Sequence, residues 1–280
     1  MFTLEVENKY GKKLKLTQNE SNYQIDNIEG LTPPTAELTT NTVANMHGER
    51  LKNSRLEMRE LVLSIKINGE VEKNRIALYD FFNSGDYCKI YYKNGSRNVY
   101  CEGYCENFES ELFEMNQTVQ ISVICPDPFW KSALTIYADI SKVFGGFTFP
   151  FAIEEDGIEF ASYELSRETL IYNQSESECG MIVRVISDTD NVSNFIFWNV
   201  KTNKFMKINA TLNMGDELVI NTKKGEKSVL LNGQNIIGKV EKDSTWLQLQ
   251  SGANYFSYSS DNLSNHLTVM FEYNNLYKGV

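Results

Sequence analysis

Apolar and polar residues alternate along most of this chain. In Glu57 to Asn68 (EMRELVLSIKIN), Leu61, Leu63, Ile65 and Ile67 recur at every second position. A period of two predicts a half-buried strand, and Asn68-Gly69 ends it. Leu14 and Leu16 alternate with lysines in the same way. Residues 70–83 (EVEKNRIALYDFFN) break the rhythm. Leu78 and Phe82 are spaced by four and Ile76 and Tyr79 by three, which predicts one helix with a broad apolar stripe, stopped by Ser84-Gly85. The runs Tyr87–Tyr92 and Asn98–Cys105 flank Asn94-Gly95, a hairpin signal. Two more strand runs, Phe108–Phe113 and Gln117–Cys125, follow.

The last of these stops at Cys125-Pro126-Asp127-Pro128-Phe129-Trp130, because two prolines in three residues cannot continue a ladder. The expected domain boundary falls here, giving a domain at residues 1–130 and another at 131–280. Residues 144–151 (FGGFTFPF) read as a glycine-rich aromatic connector. Beyond it lie strand runs at Gly180–Ile186, Asn194–Val200, Lys204–Asn209, Asp216–Asn221, Trp246–Gln250 and Leu267–Tyr273, with turns at Lys224-Gly225 and Asn232-Gly233. Short strands at this spacing predict an antiparallel sandwich. The fold class expected is therefore mostly β, with a single helix in the N-terminal half.

Composition supports packed cores: 41% of the 280 residues are hydrophobic, including 15 Tyr and 16 Phe. The formal charge is −10, an acidic balance unsuited to holding phosphate backbones. The acidity is even: residues 1–130 carry 14 Lys+Arg against 19 Asp+Glu, and residues 131–280 carry 13 against 18. Between Arg97 and Lys131 there is no basic residue, while Glu102, Glu106, Glu109, Glu111, Glu114 and Asp127 all fall there. This reads either as a solvated face or as a surface that repels nucleic acid or meets a basic partner. The N-terminal residues Met1 to Lys13 carry charges where a secretory signal needs an apolar run, and no stretch is long enough for a membrane helix. An odd count of five cysteines, Cys88, Cys101, Cys105, Cys125 and Cys179, points to reduced thiols made in a cytoplasm.

Catalytic chemistry finds little to stand on. Phosphate-binding glycine loops, zinc-protease and nucleophile-elbow motifs are all missing. His47 and His266, the only histidines, sit in polar, turn-like settings without a nearby nucleophile. Cys101 and Cys105 on one strand would be roughly 13 Å apart at about 3.3 Å per residue, against the less than about 7 Å that a disulfide needs. Buried free thiols fit better than a metal or redox pair. Glu154, Glu155 and Asp156 are adjacent, whereas a glycosidase needs two carboxyls facing each other across a cleft. Trp198 and Trp246 could stack on sugar or cover a subunit contact.

Three blocks in this order and spacing resemble the distal tail proteins of siphophage-type tails and their prophage relatives. The first is Gly30-Leu31-Thr32-Pro33-Pro34, the turn at His47-Gly48, the run Arg59–Ile67 and the helix after it. The second is Cys125-Pro126-Asp127-Pro128-Phe129-Trp130. The third runs from Gly215-Asp216 through LVINT, Asn232-Gly233 and Leu249–Asn254 to the final YNNLYKGV. The resemblance implies an N-terminal β-sandwich with one helix and a galectin-like C-terminal β-sandwich. It implies a homohexameric ring in the virion tail, assembled in the bacterial host cytoplasm. That ring joins the tail tube protein to the tail-associated hub or lysin protein and anchors receptor-binding proteins. DNA would pass through without being held, which suits Glu102, Glu106, Glu109, Glu111 and Glu114 as channel-facing residues. No cofactor, metal, membrane or catalytic residue is expected. The alternatives are a carbohydrate-binding tail adhesin using Trp198 and Trp246 and, more remotely, a cell-wall hydrolase.

Overall fold

In the computed structural model, residues 2–16, 22–44, 47–113, 117–139, 142–144, 162–164 and 168–280 are described. The alternating runs become antiparallel strands, β1 Thr3–Asn8, β2 Lys13–Leu16, β3 Tyr23–Glu29, β4 Ala36–Thr42, β5 Glu49–Leu56 and β6 Arg59–Ile67. The helix α1, Val71–Tyr79, precedes β7 Tyr87–Lys93, β8 Asn98–Ser110, β9 Thr118–Cys125 and β10 Trp130–Ser132. Then come β11 Ile136–Asp139, β12 Lys142–Phe144, β13 Ser162–Glu164, β14 Glu168–Asn173, β15 Ile182–Ser187, β16 Val192–Asn199 and β17 Lys204–Leu212. The set closes with β18 Glu217–Asn221, β19 Ser228–Leu231, β20 Gln234–Asn235, β21 Gly252–Ser259, β22 Leu267–Tyr273 and β23 Leu276–Tyr277. Two compact units result: Met1–Leu134 together with Leu276–Val280, and Thr135–Asn275.

The first unit is a β-sandwich with one helix. Its strands run in the order β2-β1-β7-β8-β9-β6-β3, with β10 joined to both β8 and β23. Inward positions of β6 pair with those of β9, Leu61 with Val123, Leu63 with Ile121 and Ile65 with Val119, and all six are buried. Strand β8 divides its partners along its length: residues 98–104 pair with β7, and residues 104–110 with β9 across a bulge between Cys105 and Asn107. That bulge fuses what the sequence pattern divides into two runs, since one extra residue resets the alternation without ending the strand.

The helix is shorter than its pattern predicts. After Tyr79 the backbone tightens, with the amides of Phe81 and Phe82 both donating to the Leu78 carbonyl. Phe82 enters the core from this turn rather than from a helical face. Only Asn74 and Leu78 of the helix are buried, and Ile76 and Tyr79 face outward. The broad stripe therefore splits into a core side and an exposed side. Several strands were not read from the pattern, among them β1, β3, β4, β5, β10, β11, β14 and β21. Every residue of β4 is exposed, and so is every residue of β5 except Leu56, so nothing periodic marks these two.

The second unit is an antiparallel β-sandwich of two main sheets, β11-β22-β15-β18-β19-β20 and β14-β21-β16-β17, with β12 and β13 paired to each other. Phe271 of the first sheet meets Phe256 and Phe197 of the second, with ring centroids 5.5 Å and 6.5 Å apart. Each such fully buried ring contributes about 1.5–3 kcal/mol. Asn232-Gly233 forms the tight turn between β19 and β20. Trp246–Gln250 does not form the expected strand. It is held by single contacts instead: the Thr245 amide donates to Phe205, and Cys179 and Leu249 make one isolated bridge. The connector at 144–151 lies, apart from the backbone of Phe144, outside the described residues.

Candidate functional site

Reactive groups do not converge among the described residues. No three His, Cys, Asp or Glu side chains are grouped to hold a metal ion there. His47 is exposed, and His266 Nδ1 lies 2.7 Å from the Asp188 carboxylate at the surface. All five cysteines are free and buried. Burial pushes the Cys105 and Cys179 thiols up to about 11, which leaves them protonated and unreactive near neutrality. Glu154, Glu155 and Asp156 lie outside the described residues, as does Glu114.

The acidic stretch maps to the solvent side of β8 and its continuation. Its members do not act alike. Glu102 is half-buried, with Lys131 Nζ 2.9 Å from one carboxylate oxygen and the Tyr87 hydroxyl donating to the other at 3.0 Å. Burial alone would raise this carboxyl, but Lys131 and Tyr87 outweigh it and hold Glu102 below its ordinary range. Lys131 also reaches Asp127 at 3.3 Å. Folding thus supplies a cation to one end of a stretch that has none in sequence. Glu106, Glu109 and Glu111 stay exposed. Glu106 accepts from the Ser122 hydroxyl at 3.2 Å and Glu109 from the Asn107 amide at 2.8 Å.

The two tryptophans occupy different settings. Trp198 is on the outward face of β16, opposite Ser257 of β21 and Phe205 of β17. On the same face Leu170 of β14 pairs with Tyr255 of β21, and both are exposed with Tyr172 nearby. Trp246 lies on the irregular stretch, with Lys227 Nζ 5.4 Å from its ring centroid. The outer sheet face thus gathers Trp198 with Tyr172, Tyr255 and Leu170, and does not need Trp246.

One polar centre carries no sequence motif. Arg59 occupies an inward phase of β6 and is 2% exposed. Its guanidinium donates to four backbone carbonyls: Pro128 at 2.9 Å, Thr32 at 2.8 Å, Gly30 and Lys278. The Trp130 ring lies 5.4 Å away. Burial holds the guanidinium below its ordinary value. All three sequence blocks meet here: the Gly30–Pro33 turn, the proline run before Trp130, and the chain end. The amide of Val280 also donates to Leu31, and Gly279 fits beside Pro33 where a Cβ would lie 3.0 Å from the proline ring. The signal that could have found it is a charged residue in the buried phase of an alternating strand.

The first block and most of the third fall within the ranges of two family models. Residues 9–125 match the phage tail protein RIFT-related domain, and residues 175–277 match the siphovirus-type tail component, C-terminal domain. The chain belongs to the siphophage distal tail protein family. Solved structures share its fold along the whole length. The Dit protein of phage SPP1, described as a paradigm of the hub adsorption apparatus in phages infecting Gram-positive hosts, superposes with a TM-score of 0.69 at 16% identity, covering 98% of this chain and 99% of that one. A chain of the phage P2 baseplate in its activated conformation with Ca gives 0.57 at 10% identity, covering 100% of both. The corresponding baseplate with Sr gives 0.53 at 9% identity, covering 97% and 98%. No curated protein sequence matches. This distal tail protein is therefore a structural component of a phage tail, with the virion tail as its place.

Proposed function

We propose that this distal tail protein is a non-enzymatic ring subunit, six copies of which close around the tail channel. The observation that carries this reading is a pair of family-matched β modules without converging reactive groups among their described residues, next to strands left unpaired at their edges. Heterologous contacts between such edges close rings when the rotation allows it. The ring joins the tail tube protein to the tail-associated hub or lysin protein. It is assembled in the host cytoplasm. Residues 1–130 build the ring, and residues 131–280 carry peripheral partners such as receptor-binding proteins. DNA passes without specific binding, and the exposed Glu106 suits a surface facing that passage because it repels phosphate. Light scattering coupled to size exclusion, with negative-stain imaging of the peak, tests the reading. Hexameric rings are expected, and a chain that is monomeric at all concentrations, alone and with its tail partners, would overturn it.

A second reading, a carbohydrate-binding adhesin, is favoured by the aromatic outer face around Trp198. Aromatic faces suit sugar rings and protein partners alike. Glycan binding that disappears in Trp198→Ala would establish this role. Binding that survives Trp198→Ala, or no binding to any glycan, would remove it.

A further inference from the structure

Two features of the first unit are incomplete in a single copy, and they complement each other. The first is the hairpin of β4 and β5. These strands pair only with one another. A two-stranded hairpin alone is at best marginally stable in water. It also displays large apolar groups: Leu38 is 60% exposed and Leu51 is 57% exposed. The register puts both on one face, since Leu51 pairs with Thr40, two residues along from Leu38. The opposite face carries the pairs Asn41–Arg50 and Glu37–Arg55.

The second feature is the far end of β8. Strand β7 ends its pairing at Tyr104, so residues 106–110 are bonded to β9 on one side only. Beside this open edge is a groove of about 390 Å³ lined by Tyr79, Phe82, Asn83, Phe108, Ser110 and Leu112. Phe108 packs edge-on against Tyr79 at 4.9 Å. Leu112 and the fully exposed Phe113 continue the apolar surface, and the Ser110 hydroxyl is buried without a hydrogen-bond partner. Phe108 and Ser110 share the face of Ile121 and Val119, whereas Glu109 faces the other way with Gln120. The edge is therefore apolar on one face and acidic on the other.

Resting on the ring reading above, we infer that the β4–β5 hairpin of one copy docks through β5 on the open β8 edge of a second copy. An added strand satisfies edge amides and carbonyls through main-chain hydrogen bonds, and side chains set which strand fits. Leu38 and Leu51 would enter the groove beside Phe108 and Leu112. Arg50 would meet Glu109 and Glu111, in a stretch where residues 98–130 supply no base of their own. Donor and acceptor are different patches of the same unit, so the contact is head-to-tail, the type that generates closed rings.

The test uses the full chain in two variants, Leu51→Cys and Leu112→Cys, mixed and treated with a short bismaleimide. The five native thiols are buried and do not compete. A covalent dimer holding one chain of each variant is expected, far more abundant than dimers formed by either variant alone. Leu38→Glu/Leu51→Glu, altered at exposed positions only, is expected to abolish rings with thermal unfolding unchanged. If imaging shows rings but the mixed dimer does not form, or if the double glutamate variant still makes rings, the docking is wrong and the ring reading stands. If the wild-type chain makes no ring, alone or with its tail partners, both fail.

Discussion

The guanidinium of Arg59 lies over the indole of Trp130, 5.4 Å from its ring centre, at the point where three separate segments of the chain converge. A buried cation is costly unless every donor is used. Here backbone carbonyls replace the usual carboxylate, so the charge is spread over four acceptors from residues 30, 32, 128 and 278.

Arg59→Ala should therefore destabilise the first unit by about 3 kcal/mol or more, since each hydrogen bond to a charged group contributes about 1.5–3 kcal/mol. Arg59→Lys should recover only part of this, because an ammonium cannot span the same fork of acceptors. Chemical denaturation of the three proteins measures both. A loss below about 1 kcal/mol in the alanine variant would contradict the clasp.

The Glu102–Lys131 pair makes a pH prediction. Glu102 is held below its ordinary value of 4.5, so its contribution is fully present above that value. It is lost as pH falls through the lower folded value. Lys131 is held above its ordinary 10.5 by Glu102 and Asp127, which outweigh its burial, so its contribution is present below that value and lost at higher pH. Unfolding midpoints of the wild type should fall more steeply in acid than those of Glu102→Gln. Parallel acid profiles would remove the pair from the account.

Gly103 leaves room for its neighbours in the core. A Cβ there would lie 2.7 Å from the Ile124 carbonyl oxygen and 2.8 Å from Cys125 Sγ. Gly103→Ala should cost about 1–3 kcal/mol through overpacking. Thermal unfolding checks this, with Gly95→Ala, whose Cβ would meet nothing within 4 Å, as the comparison.

Native chains should resist thiol alkylation. All five cysteines are buried, so mass spectrometry after brief treatment should find the unmodified chain, and five additions after denaturation. Rapid native labelling at any one of them would show that a core opens locally.

Much of the architecture was legible in the residues. Period-two alternation marked β2, β6 and β9, short runs between turn residues marked β18 and β22, and proline marked the end of β9, because a strand covered on one face must alternate and a ladder needs amide donors. The absence of recognisable catalytic motifs and the family likeness were legible too. The hairpin of β4 and β5 was not, since strands exposed on both faces carry no hydrophobic period. The Arg59 clasp and the pairing of Lys131 with Glu102 belong to tertiary structure alone. Local sequence sets which face of an element is apolar, but which distant carbonyl or carboxylate meets a charge depends on chain segments brought together only by the fold.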